Sequence, residues 1–363
     1  MKNIYLDNII FSLQHAGGIS KYWSELLRRI LESDVDRFFL LDYENSNLFR
    51  QELSHFVSAE RILKSDSRLI PIWLYRYMDV SMCQDKSIFH SSYYRVSSNR
   101  LCSNITTVHD FTYELFASPL RRLPHAVQKK RAIFNSEIII CVSQNTKVDL
   151  LTLYPEIGDD RVYVVNNGVD DVFTPLSLQR NLELKSLYNF NWGSYILYVG
   201  DRKAKYKNFN FVVSAAKERR TRLLIVGGGP LSTIEYNWLC KDLGINNFRI
   251  EINVSSEKLN LIYNNAICLI YPSRYEGFGI PILEAQAAGC PVLTTNFSCI
   301  PEIAGQGAIT LDNISVESLS EGVLFLLNDS YFRRDLIRKG FENVKKYSWD
   351  RCYNETIKLY DLL

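Results

Sequence analysis

The chain has no run of about 18 apolar residues, so no segment of it reads as a transmembrane helix. Its eight cysteines, scattered from Cys83 to Cys352, include no Cys-x-x-Cys pair. In a chain of this size that spacing argues against a zinc site or disulfide framework and for reduced, mostly buried thiols. An excess of charge of one sign is missing too: a net +2 over 363 residues gives no general reason to expect nucleic-acid binding. Met1–Asp7 lacks the h-region of a signal peptide and reads as a first strand. A dinucleotide fingerprint is also absent. Gly227-Gly228-Gly229-Pro230 follows a strand, but the pattern needs a glycine at 232, where Ser232 stands, and Pro230 interrupts the turn. A cytoplasmic enzyme is expected.

What is present is a globular balance, with 47% apolar and 23% charged residues, in a chain long enough for about two domains. Short β-branched runs, among them 105–109, 137–142, 162–165, 195–199, 223–226 and 268–271, alternate with amphipathic stretches at 20–32, 208–217 and 281–288. Several runs are apolar on both faces, as parallel strands covered by helices are, so the class is α/β with parallel sheets. The alternation restarts near residue 194, and the stretch 170–191, containing Pro175, reads as irregular. This sets a first domain at 1–172 and a second at 173–348, with a last helix, 349–363, packing back onto the first.

The segment from Tyr271 to Gly289 carries the most chemistry. A buried strand leads into a glycine-rich loop, and Pro281 stands where a helix begins. Gly277 and Gly279 allow close backbone approach. The free N–H groups and positive end of the helix suit a diphosphate. Glu284 is placed in the first turn, where a carboxylate can accept both hydroxyls of a ribose, and Glu276 in the loop reaches another part of the same ligand. A second strand, Tyr195–Val199, opens into a turn dense in cations, from which Arg202 and Lys207 can meet the charge developing on a departing diphosphate. Between Leu115 and Ser136 no acidic residue occurs, while Arg121, Arg122, Lys129, Lys130 and Arg131 cluster there. A helix is expected from about His125, after Pro119 and Pro124. The segment reads either as a solvated helix face or as a basic patch for an acceptor phosphate or a membrane surface.

Glu276 and Glu284 reproduce a Glu-x₇-Glu signature, and with the Gly-Phe-Gly between them and the Ala-Ala-Gly-Cys-Pro-Val run after them the segment resembles retaining GT-B glycosyltransferases, especially glycosyltransferase family 4. The resemblance implies a GT-B fold, two Rossmann-like domains with parallel sheets facing across a cleft. It implies that Glu276 holds hydroxyls of the donor sugar and that Gly277, Phe278, Gly279 and Ile280 surround sugar and phosphate. Glu284 then binds the ribose, and Arg202 and Lys207 grip the diphosphate. Gly229 belongs to a Gly-x-Gly-Pro turn beside the nucleotide, Gly17 and Gly18 to a loop closing over the diphosphate, and His109 contacts the sugar at its reacting end. No cofactor and no metal are expected, since cationic side chains and a helix end take the metal's electrostatic place. Phe11–Gln14 and Tyr206–Asn208 look like bacterial mannosyltransferases that build surface polysaccharides such as O-antigen. The implied substrates are therefore a nucleotide diphosphate sugar, GDP-mannose first, and a lipid-linked glycan acceptor. A nucleotide-sugar epimerase and a silent sugar-nucleotide-binding subunit are the alternatives.

Overall fold

In the computed structural model, residues 2–33, 37–56, 61–64, 70–81 and 86–363 are described; Cys83 lies outside them, as does the side chain of Arg121. The chain divides into two compact units, 1–168 with 349–363, and 169–348. The division falls a few residues ahead of 172 because Val169 bridges to Ser348 within the second unit.

The first unit contains a seven-stranded sheet of β1 (Asn3–Asp7), β2 (Phe38–Asp42), β3 (Ile62–Lys64), β4 (Ser87–Ser91), β5 (Cys102–Val108), β6 (Ile138–Cys141) and β7 (Val162–Val164). Its order is β3-β2-β1-β4-β5-β6-β7, and every pairing is parallel. The second unit contains β8 (Tyr195–Val199), β9 (Arg222–Val226), β10 (Phe248–Glu251), β11 (Cys268–Tyr271), β12 (Val292–Thr295) and β13 (Ala308–Leu311), ordered β10-β9-β8-β11-β12-β13, again all parallel. Parallel neighbours need crossover helices, which cover both faces and bury the strands. All four residues of β6, β11 and β12 are buried accordingly. In each sheet the strand order reverses once, between β1 and β4 and between β8 and β11. Open α/β sheets bind ligands outside the carboxyl ends of the strands at such reversals.

Two helices depart from expectation. The stretch read as irregular holds the helix Leu178–Leu187, capped by Ser177; only Leu184 of its four leucines is buried, so the apolar period that announces a helix is missing. The helix expected from His125 begins at Pro119 and runs to Phe134 without a break. Pro119 sits in the first turn, where its missing N–H is not needed. Pro124 lies deeper and forgoes the bond to the Leu120 carbonyl, a loss the inward packing of His125, Gln128 and Lys129 offsets.

The last helix, Trp349–Tyr360, belongs to the first unit: Asp350 pairs with Arg29 at 2.6 Å, Asp361 with Arg37 at 2.7 Å, and the Tyr360 hydroxyl meets His90 Nδ1 at 2.7 Å. His90 is fully buried, with Nε2 at 2.9 Å from Thr107 Oγ1, and is a core residue. Burial pushes His90 and His125 down to about 3 and His109 to about 4. Unfolded histidine titrates near 6.5, so below that pH the unfolded chain binds more protons than the native one. The melting temperature is therefore expected to fall as pH drops from about 6.5 towards 4. His90→Gln should flatten that slope, and a melting temperature constant over the interval would contradict the burial of neutral rings.

Candidate active site

The second unit gathers its chemistry at the reversal between β8 and β11. β11 ends at Tyr271, and the loop after it reaches Gly279, which caps the helix Ile280–Ala287. Gly279 has φ +96°, so a side chain there would be strained, and no side chain caps the helix. Pro281 has no N–H and the Ile282 amide donates to the Gly279 carbonyl at 3.0 Å, so the positive helix end is carried by the amides of Gly279 and Ile280.

The loop is stitched from behind by residues the sequence reading did not single out. Thr294 Oγ1 donates to the Tyr271 carbonyl at 2.7 Å and Thr295 Oγ1 to that of Ser273 at 2.6 Å. Ser298 Oγ and Cys299 Sγ donate to the Glu276 carbonyl at 2.7 and 3.0 Å. From the β8 side, Asn208 Nδ2 reaches the Pro272 carbonyl at 2.8 Å and the Arg274 amide donates to the Tyr206 carbonyl at 2.8 Å. Buried hydroxyls on a strand carry no periodic signal, so only the fold reveals this scaffold. Gly279→Ala is expected to cost about 1–2 kcal/mol from its left-handed backbone alone and to weaken nucleotide binding further. Equal stability and affinity in the variant would contradict that.

Lys207 and Glu276 come together. Lys207 Nζ lies 2.7 Å from Glu276 Oε1, which also accepts from Ser273 Oγ at 2.7 Å. The ammonium lies against the rings of Tyr206 and Tyr271 at 5.7 and 5.6 Å. Burial works most strongly against its charge, but the charge and hydrogen bond of Glu276, together with Tyr206 and Asp201, raise the Lys207 pKa. Lys207 thus stays cationic beside the helix end. Glu284 is the fifth residue of the helix, one turn further in than expected, and its Oε2 accepts from the Tyr263 hydroxyl at 2.9 Å. Tyr263 is fully buried; burial, then the Glu284 charge, pushes its pKa well above the usual phenol value. Tyr263 therefore remains a donor and orients the carboxylate.

Arg202 is engaged by Glu235 and by the glycine turn after β9. Its Nε pairs with Glu235 at 3.0 Å, Nη1 donates to the carbonyls of Gly227 and Gly229 at 2.8 and 2.9 Å, and Nη2 to that of Pro230 at 2.8 Å. The side chain is 1% exposed. The guanidinium here holds the glycine turn, a role that the residue type alone did not announce. Gly227, Gly228 and Gly229 run consecutively at positive φ, and a Cβ at Gly228 would meet Arg202 Nη1 at 2.6 Å, whereas one at Gly229 would meet open space. Only Gly229 is thus open to a neighbouring ligand.

In the first unit, Gly17 caps the helix Gly18–Glu32, and no side chain caps that end. Gly17 is extended, and a Cβ there would meet only the flexible end of Gln14; one at Gly18 would meet nothing. Neither glycine is demanded by the backbone. His109 follows β5 with its ring edge-on to Tyr22 at 5.0 Å, and burial keeps it neutral.

The basic segment does not form one patch. Lys129 is fully buried, with Nζ 2.7 Å from the Asp110 carbonyl and 2.8 Å from Glu114. Arg131 pairs with Asp79, and Lys130 lies over Phe134 and Tyr154 at 5.2 and 5.7 Å. Helical periodicity turns Lys129 inward with His125 and Gln128, leaving Arg122, Lys130 and Arg131 exposed. Among the described residues no group of three His, Cys, Asp or Glu could hold a metal ion. The chain's Asp-x-Asp, Asp34-Val35-Asp36, lies outside them. No helix among them is long and apolar enough to cross a membrane.

Residues 16–173 match the family model of Glycosyltransferase Family 4, and residues 186–343 that of Glycosyl transferases group 1. The chain is 28% identical to the O-antigen chain mannosyltransferase B of Escherichia coli over 73% of its length and 72% of the relative's. It is 25% identical to an uncharacterised glycosyltransferase of Methanocaldococcus jannaschii over 96% and 95% of the two chains. Among solved structures, HepE of Anabaena in complex with UDP and glucose superposes over 100% of both chains with a TM-score of 0.75 at 13% identity. With two parallel-sheet Rossmann-like units, each matched by a family model, and with Glu276 and Glu284 set around an open helix end, the chain belongs to the family 4 glycosyltransferases of GT-B fold.

Proposed function

We propose that the second unit binds a nucleotide diphosphate sugar with its diphosphate at the amides of Gly279 and Ile280, and that the enzyme transfers the hexose with retention of anomeric configuration. The observation that carries the reading is the Lys207–Glu276 pair beside an uncapped helix end at the β8–β11 reversal. The cation faces charge developing on the leaving diphosphate; the carboxylate holds sugar hydroxyls. The bond between anomeric carbon and diphosphate oxygen breaks, the acceptor oxygen bonds to the same face, and its proton passes to the departing phosphate. No metal is needed, because Lys207 and the helix end supply the positive charge. Gly17, Gly18 and His109 keep the donor-contacting roles that the resemblance implies, and Gly229 borders the nucleotide.

Mannose from GDP-mannose is the proposed donor and a lipid-linked glycan the acceptor, in O-antigen or related surface polysaccharide synthesis at the inner face of the membrane. The E. coli relative is named an O-antigen chain mannosyltransferase, which supports this choice; HepE binds UDP, which makes a UDP-sugar the competitor to test. A thermal-shift screen of nucleotide sugars identifies the donor by the largest rise in melting point, and NMR of the product reads its configuration. An inverted product would overturn the mechanism.

Tyr263→Phe removes the 2.9 Å hydrogen bond that the phenol donates to Glu284 Oε2. The variant is expected to lose about 5- to 10-fold in affinity for the ribonucleotide, the worth of one hydrogen bond, and to leave the 2′,3′-dideoxy analogue unaffected. Equal losses for both ligands would remove Glu284 from the ribose.

A further inference from the structure

The helix Pro119–Phe134 carries an apolar face on the side turned away from its buried one. At 3.6 residues per turn, His125, Gln128, Lys129, Ala132 and Ile133 share the inward side and are buried. On the opposite side Leu120, Leu123, Val127 and Phe134 fall on one arc, with Lys130 and Arg131 at its two margins. Leu120 is 90% exposed, Leu123 67% and Val127 58%. A solvent-facing helix side is ordinarily polar, and among the described residues Leu120, Leu123 and Val127 of this stripe stay exposed. Beside it, Tyr77 and Met78 are also exposed, and so are Trp73 and Leu74 in the helix just before them.

Between the segment 76–79 and the stripe lies a cavity of about 390 Å³, walled by Tyr77, Met78, Val96, Leu123, Pro124 and Val127. The polar groups at its walls largely satisfy one another. Gln128 Oε1 accepts from Arg76 at 3.2 and 3.1 Å, and Gln128 Nε2 returns a bond to the Arg76 carbonyl at 2.6 Å. Arg95 is paired with Asp7 at 3.1 Å, and Arg131 with Asp79. The space holds about a dozen water-sized groups at roughly 30 Å³ each but gives water little to bond. Arg76, Arg95 and Arg131 line the slot against the single lining carboxylate of Asp79, so an apolar slot edged by cations fits one chemistry: a hydrocarbon chain ending in an anionic head.

We infer that this cavity receives the hydrocarbon tail of the acceptor, a single-chain lipid carrying phosphate, with the lining Arg76 and Arg131 towards the head group. The inference rests on the lipid-linked half of the proposed function and not on the donor. Titration calorimetry with dodecyl phosphate below its micellar concentration tests it. One equivalent is expected to bind saturably, while inorganic phosphate and dodecyltrimethylammonium do not. Val127→Trp, which fills the slot from an exposed position, should weaken binding at least 10-fold, and Leu123→Ser several-fold, with unchanged melting temperatures. Absence of saturable binding, equal binding in both variants, or competition by inorganic phosphate would overturn the inference. Kinetics separates the tail site from general membrane attraction: Val127→Trp should raise KM for a long-chain acceptor about 10-fold and far less for a short aglycone. Equal increases would contradict a tail site. A wild type that transfers to neither acceptor would sink the transferase reading and leave the titration to decide the cavity.

Discussion

Lys207→Ala is expected to cut kcat/KM by about 10²-fold or more, the usual loss when a preorganised positive partner of a developing oxyanion is removed. Two effects add. The cation that faces the departing diphosphate is gone, and Glu276, paired with Lys207 at 2.7 Å, becomes an uncompensated carboxylate near two phosphates. Lys207→Arg should recover part of the rate, because charge returns but the point contact beside Tyr206 and Tyr271 does not. Stability should fall as well, because Glu276, 13% exposed, loses its cationic partner, so the loss of turnover is compared at a temperature where the variant is folded. Steady-state kinetics alongside melting curves checks this, and turnover within threefold of wild type would remove Lys207 from the chemistry.

Arg202→Ala should fail in another way. Its guanidinium serves Glu235 and three carbonyls of the turn from Gly227 to Pro230. Truncation leaves the carbonyls of the turn without their donor and opens a void, a loss of about 1–3 kcal/mol. The variant should therefore melt several degrees lower, with faster hydrogen exchange around 227–230 and weaker nucleotide binding. Arg202→Lys should not rescue it, because one ammonium with three donors cannot replace a fork spread over four acceptors. A variant that melted like wild type while losing 10²-fold in turnover would show that Arg202 meets the ligand and not the turn.

These two cations show what a sequence can and cannot reveal. Both follow β8 in a turn rich in charge, and the residue types alone assign them one role. Their different partners trace to Glu235, more than thirty residues later, whose capping-box position on the helix Thr233–Leu243 delivers a carboxylate to Arg202. Spacing within one segment holds no record of that meeting. The same limit applied to Lys129: the lack of acids from 115 to 136 was legible, but the acid that claims it, Glu114, lies just outside that window. By contrast, the glycine loop, the helix behind it and the alternation of strands and helices are local patterns, and they were readable directly. Tyr263 and Thr295 were not, because each acts through a contact made only when distant elements of the second unit lie side by side.

The central claim, a pyrophosphate seated on an open helix end and countered by Lys207, is tested most directly by titrating paired nucleoside mono- and diphosphates in EDTA. The diphosphate of the preferred base should bind at least 10-fold tighter than its monophosphate, and Lys207→Ala should shrink that gap. Equal affinity for the two nucleotides, or a gap untouched by Lys207→Ala, would contradict it.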